Sequence, residues 1–244
     1  MNDNLRQWTA ELEAAGNSEK IEILSRFFKT GKGEYAEGDR FIGVTVPVNR
    51  AISRRYACSS REDIAVMISS DIHEFRLSAL LALVERYEKL KHREQRDETT
   101  DFYLSVGHKA DNWDLVDLSA PKILGEEIAA GRRLSDLERL IESDCLWHNR
   151  IAMVSMLTPV MRYRQTDMAL DIAERFISHP HDLMRKAVGW VLREIGKKDI
   201  EALRDFLAAN VSRMSAITLS YATEKLPSHE RAEWRRMRKS ATTL

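Results

Sequence analysis

The 244-residue sequence predicts an all-α protein, a curved solenoid of stacked helical pairs with a concave inner groove. Three observations carry that expectation. The composition is 43% hydrophobic and 31% charged with only 10 Gly and 5 Pro, so turn-formers are scarce among abundant helix-formers. Apolar residues recur at three- and four-residue spacing, as in Leu77, Leu80, Leu81 and Val84 or Ile151, Val154 and Leu157, while strand-type alternation is nearly absent. Arg76, Trp113, Arg150 and Lys186 each open a similar apolar run, at separations of 37, 37 and 36 residues.

That period suits helical-pair repeats of the HEAT type, in which each pair buries its apolar face only by stacking on the next. A single repeat domain over residues 1–244 follows, because nothing reads as a flexible linker. Gly31, Gly33, Gly38, Gly43 and Pro47 mark one long irregular loop early in the chain. Pro180 and Asp182 precede a helix from Leu183 to Ile195, and Gly196 is placed to stop it. Pro227-Ser228 opens a final basic helix, roughly Glu230 to Lys239. Four residues beyond the repeat openings lie Leu80, Asp117, Val154 and Trp190. The register therefore predicts one inner groove lined by the polar and aromatic members of these slots.

Charge and cysteine content narrow the functional classes. Formal net charge is zero, yet residues 61–140 carry 12 Lys+Arg against 17 Asp+Glu, and residues 181–244 carry 13 against 8. Such asymmetry fits a protein that meets a polyanion with one end, although a solvated basic helix gives the same pattern. No apolar stretch approaches the roughly 18 residues that a membrane span needs, so no membrane is expected as a partner. The start, Met1-Asn2-Asp3-Asn4, lacks a secretory pattern. With only Cys58 and Cys145 there is no disulfide framework, and a reducing cytoplasm is the expected compartment. The seven histidines show no ligand spacing, so neither metal nor cofactor is expected. There is no nucleophile elbow and no phosphate-cradling glycine loop.

The candidate chemistry sits on two tryptophans. Trp113 and Asp117 are four residues apart, hence one above the other on a helix face. Trp190 has Lys186, Arg193 and Glu194 at helical spacing. Two indole faces and one acid make a trap for a group that carries or develops positive charge, each cation–π contact contributing on the order of 0.5–2 kcal/mol. Asp117 could stabilise an oxocarbenium ion and orient a water, as carboxylates do in glycoside hydrolysis; a helix-internal Asp satisfied by a nearby arginine is the structural alternative. Arg150 offers a bidentate phosphate contact or a structural ion pair, and Lys186 and Arg193 are further phosphate candidates. Asp111 and Asp114 read as cap or solvent residues near the helix start. Trp8 and Trp234 read as core residues, and Trp147 as packing beneath Arg150.

Several motifs taken together resemble the AlkD-like family of DNA alkylation-repair glycosylases, and the resemblance spans most of the chain. They are Phe41-Ile42-Gly43-Val44-Thr45-Val46-Pro47 with Arg50, then Asp111 to Asp117, then Trp147-His148-Asn149-Arg150-Ile151-Ala152. The strongest runs from His181 to Glu194 through Lys186-Ala187-Val188-Gly189-Trp190. The resemblance implies that Trp113 and Trp190 cradle the sugar and backbone of a lesion nucleotide, that Asp117 is the catalytic carboxylate and that Arg150 grips DNA. It also implies excision of cationic N3- and N7-alkylated purines without base flipping. Some positions depart from the pattern. Ala216 and Ser220 stand where the family tends to have arginines, and His148-Asn149 replaces a more basic pair, which implies fewer phosphate contacts.

The expected protein is thus a monomeric, monofunctional glycosylase acting on double-stranded DNA that contains alkylated bases. Two readings of other classes compete with it. One is a non-catalytic helical module for distorted or branched DNA; the other is a protein–protein scaffold.

Overall fold

The computed structural model describes residues 2–242. Among them sixteen α-helices form, and the only strand-like feature is an isolated parallel bridge between Arg40 and Ile72. The all-α helical-repeat fold expected from the spacing of apolar residues is what the chain adopts. No helix among the described residues is long and apolar enough to cross a membrane. The chain divides into two compact units between Ile123 and Leu124.

The first unit contains α1 (Asp3–Ala14), α2 (Ser18–Phe27), α3 (Val46–Ser53), α4 (Arg61–Ile68), α5 (His73–Lys89), α6 (Arg93–Val106) and α7 (Trp113–Ser119). Helix α5 is its axis, packing on α1, α3, α4, α6 and α7, and every residue from His73 to Val84 is buried. Each large apolar side chain it encloses, such as Leu80 or Leu83, contributes about 1.5–3 kcal/mol by leaving water. Trp8 is fully enclosed, stacked on Tyr56 at 4.9 Å between ring centres, and donates its indole N–H to Ser78 Oγ at 2.9 Å.

The loop between α2 and α3 folds back onto α5. Arg40 N–H donates to Asp71 O, and His73 N–H returns a bond to Arg40 O. Just beyond, the backbone N–H groups of Ile42, Gly43 and Val44 all converge on the carboxylate of the buried Glu74. Gly43 makes that turn feasible. Its φ is +83°, and a Cβ there would lie 2.0 Å from Asn17 O. The result is that Phe41 is delivered to the start of α5.

The second unit contains α8 (Leu124–Ala129), α9 (Leu134–Ile141), α10 (Leu146–Ser155), α11 (Leu157–Tyr163), α12 (Asp167–Arg175), α13 (Asp182–Lys198), α14 (Ile200–Asn210), α15 (Ala216–Ala222) and α16 (Ser228–Thr242). Its axis is the pair α10 and α13, with α13 also packed against α11, α12, α14 and α15. Gly196 does not end α13, which runs through it to Lys198. The glycine is needed for contact instead: a Cβ at 196 would lie 2.4 Å from Leu203 Cδ2 on α14.

The repeat survives, but its expected slots do not. Helices α5, α7, α10 and α13 begin 40, 33 and 36 residues apart, yet only Trp113 is a first helical residue; Arg76, Arg150 and Lys186 lie further in. Leu80 and Val154 are 1% and 0% exposed, and Arg76 and Arg150 are buried too, because α5 and α10 are covered by neighbours all round. Only α7 and α13 keep a half-exposed face at the predicted positions.

Candidate functional site

In the first unit the candidate site is built on the short helix α7. Asn112 caps it, its side-chain oxygen accepting the Trp113 N–H at 2.8 Å, and is itself fully buried. Trp113 and Asp117, one turn apart, are both half-buried, so the structure brings this expected pair to one face of the helix. Asp117 also senses the protein interior. Burial pushes the Tyr103 phenol up, and the Asp117 charge adds to that effect.

Beneath Trp113 lies an aromatic pile. The indole stacks on Phe28 at 5.2 Å with 22° between planes and meets Phe27 edge-on at 5.7 Å. Phe28 continues to Phe41 at 5.2 Å and to His73 at 4.8 Å, and Phe41 stacks on His73 at 4.6 Å. Each such aromatic pair contributes about 0.5–1.5 kcal/mol beyond the area it buries. Phe27 is 61% exposed, which leaves a large bare ring beside Trp113.

His73 is the base of the pile and the hub of a buried charge network. Its Nε2 lies 2.9 Å from Asp114 Oδ2 and its Nδ1 3.1 Å from Asp39 Oδ2. Burial alone would favour the neutral ring, but the carboxylates of Asp114 and Asp39 outweigh it, and the pKa is pushed up to about 9. At neutral pH the imidazolium therefore donates from both nitrogens. Burial also acts against the Asp39 carboxylate, yet His73 and the guanidinium of Arg76 hold its pKa below the usual range. Arg76 pairs with Asp39, places its Nε 3.1 Å from Asp111 Oδ1 and donates to Ser70 O at 2.9 Å. Asp114, expected as a cap or solvent residue near the helix start, lies in the first turn but is 4% exposed, because it is the counter-ion of His73. Two bonds thus tie the first turn of α7 to this network: Asp114 to His73, and Asn112 Nδ2 to Asp39 at 3.3 Å.

In the second unit the candidates lie on α13. Lys186, Trp190 and Arg193 fall at positions i, i+4 and i+7, and all three are half-buried. Gly189, next to the tryptophan, lies against α15. A Cβ there would stand 2.5 Å from Tyr221 Cβ and 2.7 Å from Thr218 O. Arg193 pairs with Glu224 and lies 3.4 Å from Glu194, so two carboxylates already offset its charge. Arg150, on α10, is 4% exposed and donates to Leu183 O at 2.6 Å, tying α10 to the first turn of α13. Asn149, beside it, holds the α9–α10 turn through Leu140 O, Ile141 O and Ser143 O. Its amide satisfies backbone carbonyls in a buried place, where a basic residue would bury a charge.

Sequence reasoning missed Phe27, Phe28, Phe41, His73, Asp39 and Asp114 as parts of one assembly. The Phe27-Phe28 doublet before a glycine-rich loop was the one available signal, since contacts over 40 residues leave no periodic trace.

A family model described as "DNA alkylation repair enzyme" matches residues 8–226. Among matching solved structures is one described as "Predicted DNA alkylation repair enzyme from Enterococcus faecalis". It is 17% identical, with a TM-score of 0.64, over 87% of this chain and 97% of that one. That likeness is one of fold. No curated protein sequence matches the chain.

Proposed function

We propose a glycosylase function on one premise: the chain belongs to the DNA alkylation repair enzyme family. The reaction is hydrolysis of the N-glycosidic bond of N3- or N7-alkylated purines in double-stranded DNA. An alkylated purine bearing a formal positive charge is already a good leaving group. What the protein must supply is stabilisation of the charge that appears on the deoxyribose, together with a placed water. Asp117 is the group assigned to both tasks. Trp113 offers its ring face to the same nucleotide, and its half-buried position on a helix surface suits a base that is not drawn into a pocket.

Residues of the second unit receive the remaining roles. Trp190 is assigned a ring-face contact with a nucleotide of the DNA, and Lys186, Arg150 and Arg193 the phosphates. Lys186 leads that group, because Arg150 is buried against Leu183 O and Arg193 is matched by Glu224 and Glu194.

The observation that carries the proposal is the pairing of Trp113 and Asp117 on one face of a helix whose first turn is fixed by buried ions. Catalysis by preorganised charge requires a carboxylate that need not move when the sugar charge develops. The test is release of 7-methylguanine from methylated duplex DNA. Asp117→Asn should lower the single-turnover rate by about 100-fold or more while DNA affinity stays within about twofold. Unchanged release removes Asp117 from the mechanism. Binding without abasic-site formation by the wild-type protein selects the non-catalytic DNA-binding module instead.

A further inference from the structure

His73 reaches α7 by two routes. The first is ionic. Its Nε2 meets Asp114 Oδ2 and its Nδ1 meets Asp39 Oδ2. Asp114 lies in the first turn of α7, and its carboxylate has no other hydrogen bond among the described residues. Asp39 holds the same helix at its capping residue, accepting from Asn112 Nδ2. The second route is aromatic. The His73 ring lies against Phe28, and Phe28 carries the Trp113 indole. One buried ring therefore bears on both the backbone that presents Asp117 and the plane of Trp113.

Holding both acids requires one protonation state. An imidazolium donates from both nitrogens, whereas a neutral imidazole has a single N–H and must release one of the two carboxylates. Either release loosens α7, because Asp114 ties its first turn and Asp39 its cap. The surrounding charges favour the imidazolium. Asp39 comes from the α2–α3 loop and Asp114 from α7, and Asp111, just before α7, is close enough to feel the His73 charge. Against these three acids stands one guanidinium, Arg76 of α5, which pairs with Asp39 and lies 3.1 Å from Asp111. Glu74, the neighbour of His73, is engaged by the N–H groups of Ile42, Gly43 and Val44.

We propose that His73 is a positioning residue for the Trp113–Asp117 pair: as an imidazolium it holds both acids that anchor α7, and through Phe28 it supports the indole. The catalytic consequence rests on the glycosylase reading, which the inference deepens by naming the group that keeps that site in place. His73 is 2% exposed beneath Phe28 and Phe41, so it acts through its neighbours and not on the substrate.

The experiment compares wild type, Asp114→Asn and Asp114→Ala at pH 7 and pH 10, by single-turnover release of 7-methylguanine and by affinity for the same duplex. Asparagine accepts from an imidazolium through its oxygen and donates to a neutral ring through its amide, so it keeps the tie in either state. Rates are taken as variant-to-wild-type ratios at each pH, which cancels titration of the substrate. The Asp114→Asn ratio should be near one at pH 7 and rise to about tenfold at pH 10, where wild type has lost the imidazolium, since a displacement of about 1 Å costs up to about 100-fold. Asp114→Ala should be slow at pH 7, with affinity for both variants within about twofold of wild type. A pair that served stability alone would give no such crossover. An Asp114→Asn ratio equal at both pH values overturns the proposal, as does a loss carried by affinity alone. Asp114→Asn is nearly isosteric, so the result stands even should Asp114→Ala fold poorly.

A second readout needs no catalysis. In protein labelled with 5-fluorotryptophan, the Trp113 resonance, assigned with Trp113→Phe, should titrate with a midpoint of about 9 in wild type. In Asp114→Asn the midpoint should fall, because one of the two acids that hold the proton is gone. A Trp113 resonance that ignores this titration overturns the proposal. A titrating resonance without base release by wild type fails the glycosylase reading alone.

Discussion

Helices α7 and α13 each present a half-buried tryptophan with a charged residue one turn away, but they are fixed by different means. The first turn of α7 is tied to a buried imidazolium flanked by two carboxylates. Helix α13 is pressed onto α15 at Gly189 and capped by His181, whose Nδ1 accepts the Leu183 N–H at 3.1 Å. For His181, burial disfavours the charged ring most, Arg150 and Arg185 add to that, Asp182 opposes it, and the pKa falls below its ordinary value. One helix therefore needs a protonated histidine and the other a neutral one. Their supports should fail at opposite ends of the pH scale.

The largest effect is expected on the α7 side. Asp114→Ala removes the closer partner of a buried cation, and breaking such a pair costs about 3 kcal/mol or more. The cost should depend on pH with a definite sign. His73 has a raised folded pKa, so its contribution is complete below about 6.5 and disappears as pH rises through about 9. The shift corresponds to on the order of 3 kcal/mol. Urea unfolding at pH 6 and at pH 10 should then show a wide gap between wild type and variant that narrows sharply at the higher pH. A gap independent of pH would mean that His73 is neutral throughout and that the first turn of α7 is not held by charge.

On the α13 side, geometry replaces charge. Gly189→Ala places a methyl group 2.5 Å from Tyr221 Cβ and 2.7 Å from Thr218 O, one of them backbone. Relief requires α13 and α15 to separate, at about 1–3 kcal/mol. Amide exchange distinguishes this from a general loss of stability: protection should fall in α13 and α15 and persist in α7. Equal loss in α7 would contradict the assignment.

The same contrast explains what could be read from the chain. Helices, their order and the face shared by Trp113 and Asp117 are local properties, set by spacings of three and four residues, and they were legible. The network under Trp113 was not, because Asp39, His73 and Asp114 lie 34 and 41 residues apart and meet only after the Phe41–Val44 loop closes on Glu74. Gly196 misled because glycine after an apolar run is a stop signal in sequence, whereas here it admits Leu203. Losing basic residues at Ala216 and Ser220 suggested a weaker grip on phosphate. Ala216 lines a cavity whose wall also carries arginines at 185, 213 and 238, a grouping that no repeat register connects.

The smallest effect concerns the cap of α13. His181→Ala deletes the acceptor for the Leu183 N–H, and a lost N-cap costs about 1 kcal/mol. Because the folded pKa of His181 lies below its ordinary value, its contribution is complete above about 6.5 and is lost as pH falls below that point. The penalty for alanine should therefore be largest near pH 8 and shrink toward pH 5, opposite in sign to the Asp114→Ala profile. His181→Asn offers an oxygen acceptor that does not titrate, so it should keep the cap at both pH values and abolish the trend. If His181→Asn retained the acid sensitivity, the titrating group would have to be another, with His179, whose pKa is also lowered by burial, the next to replace.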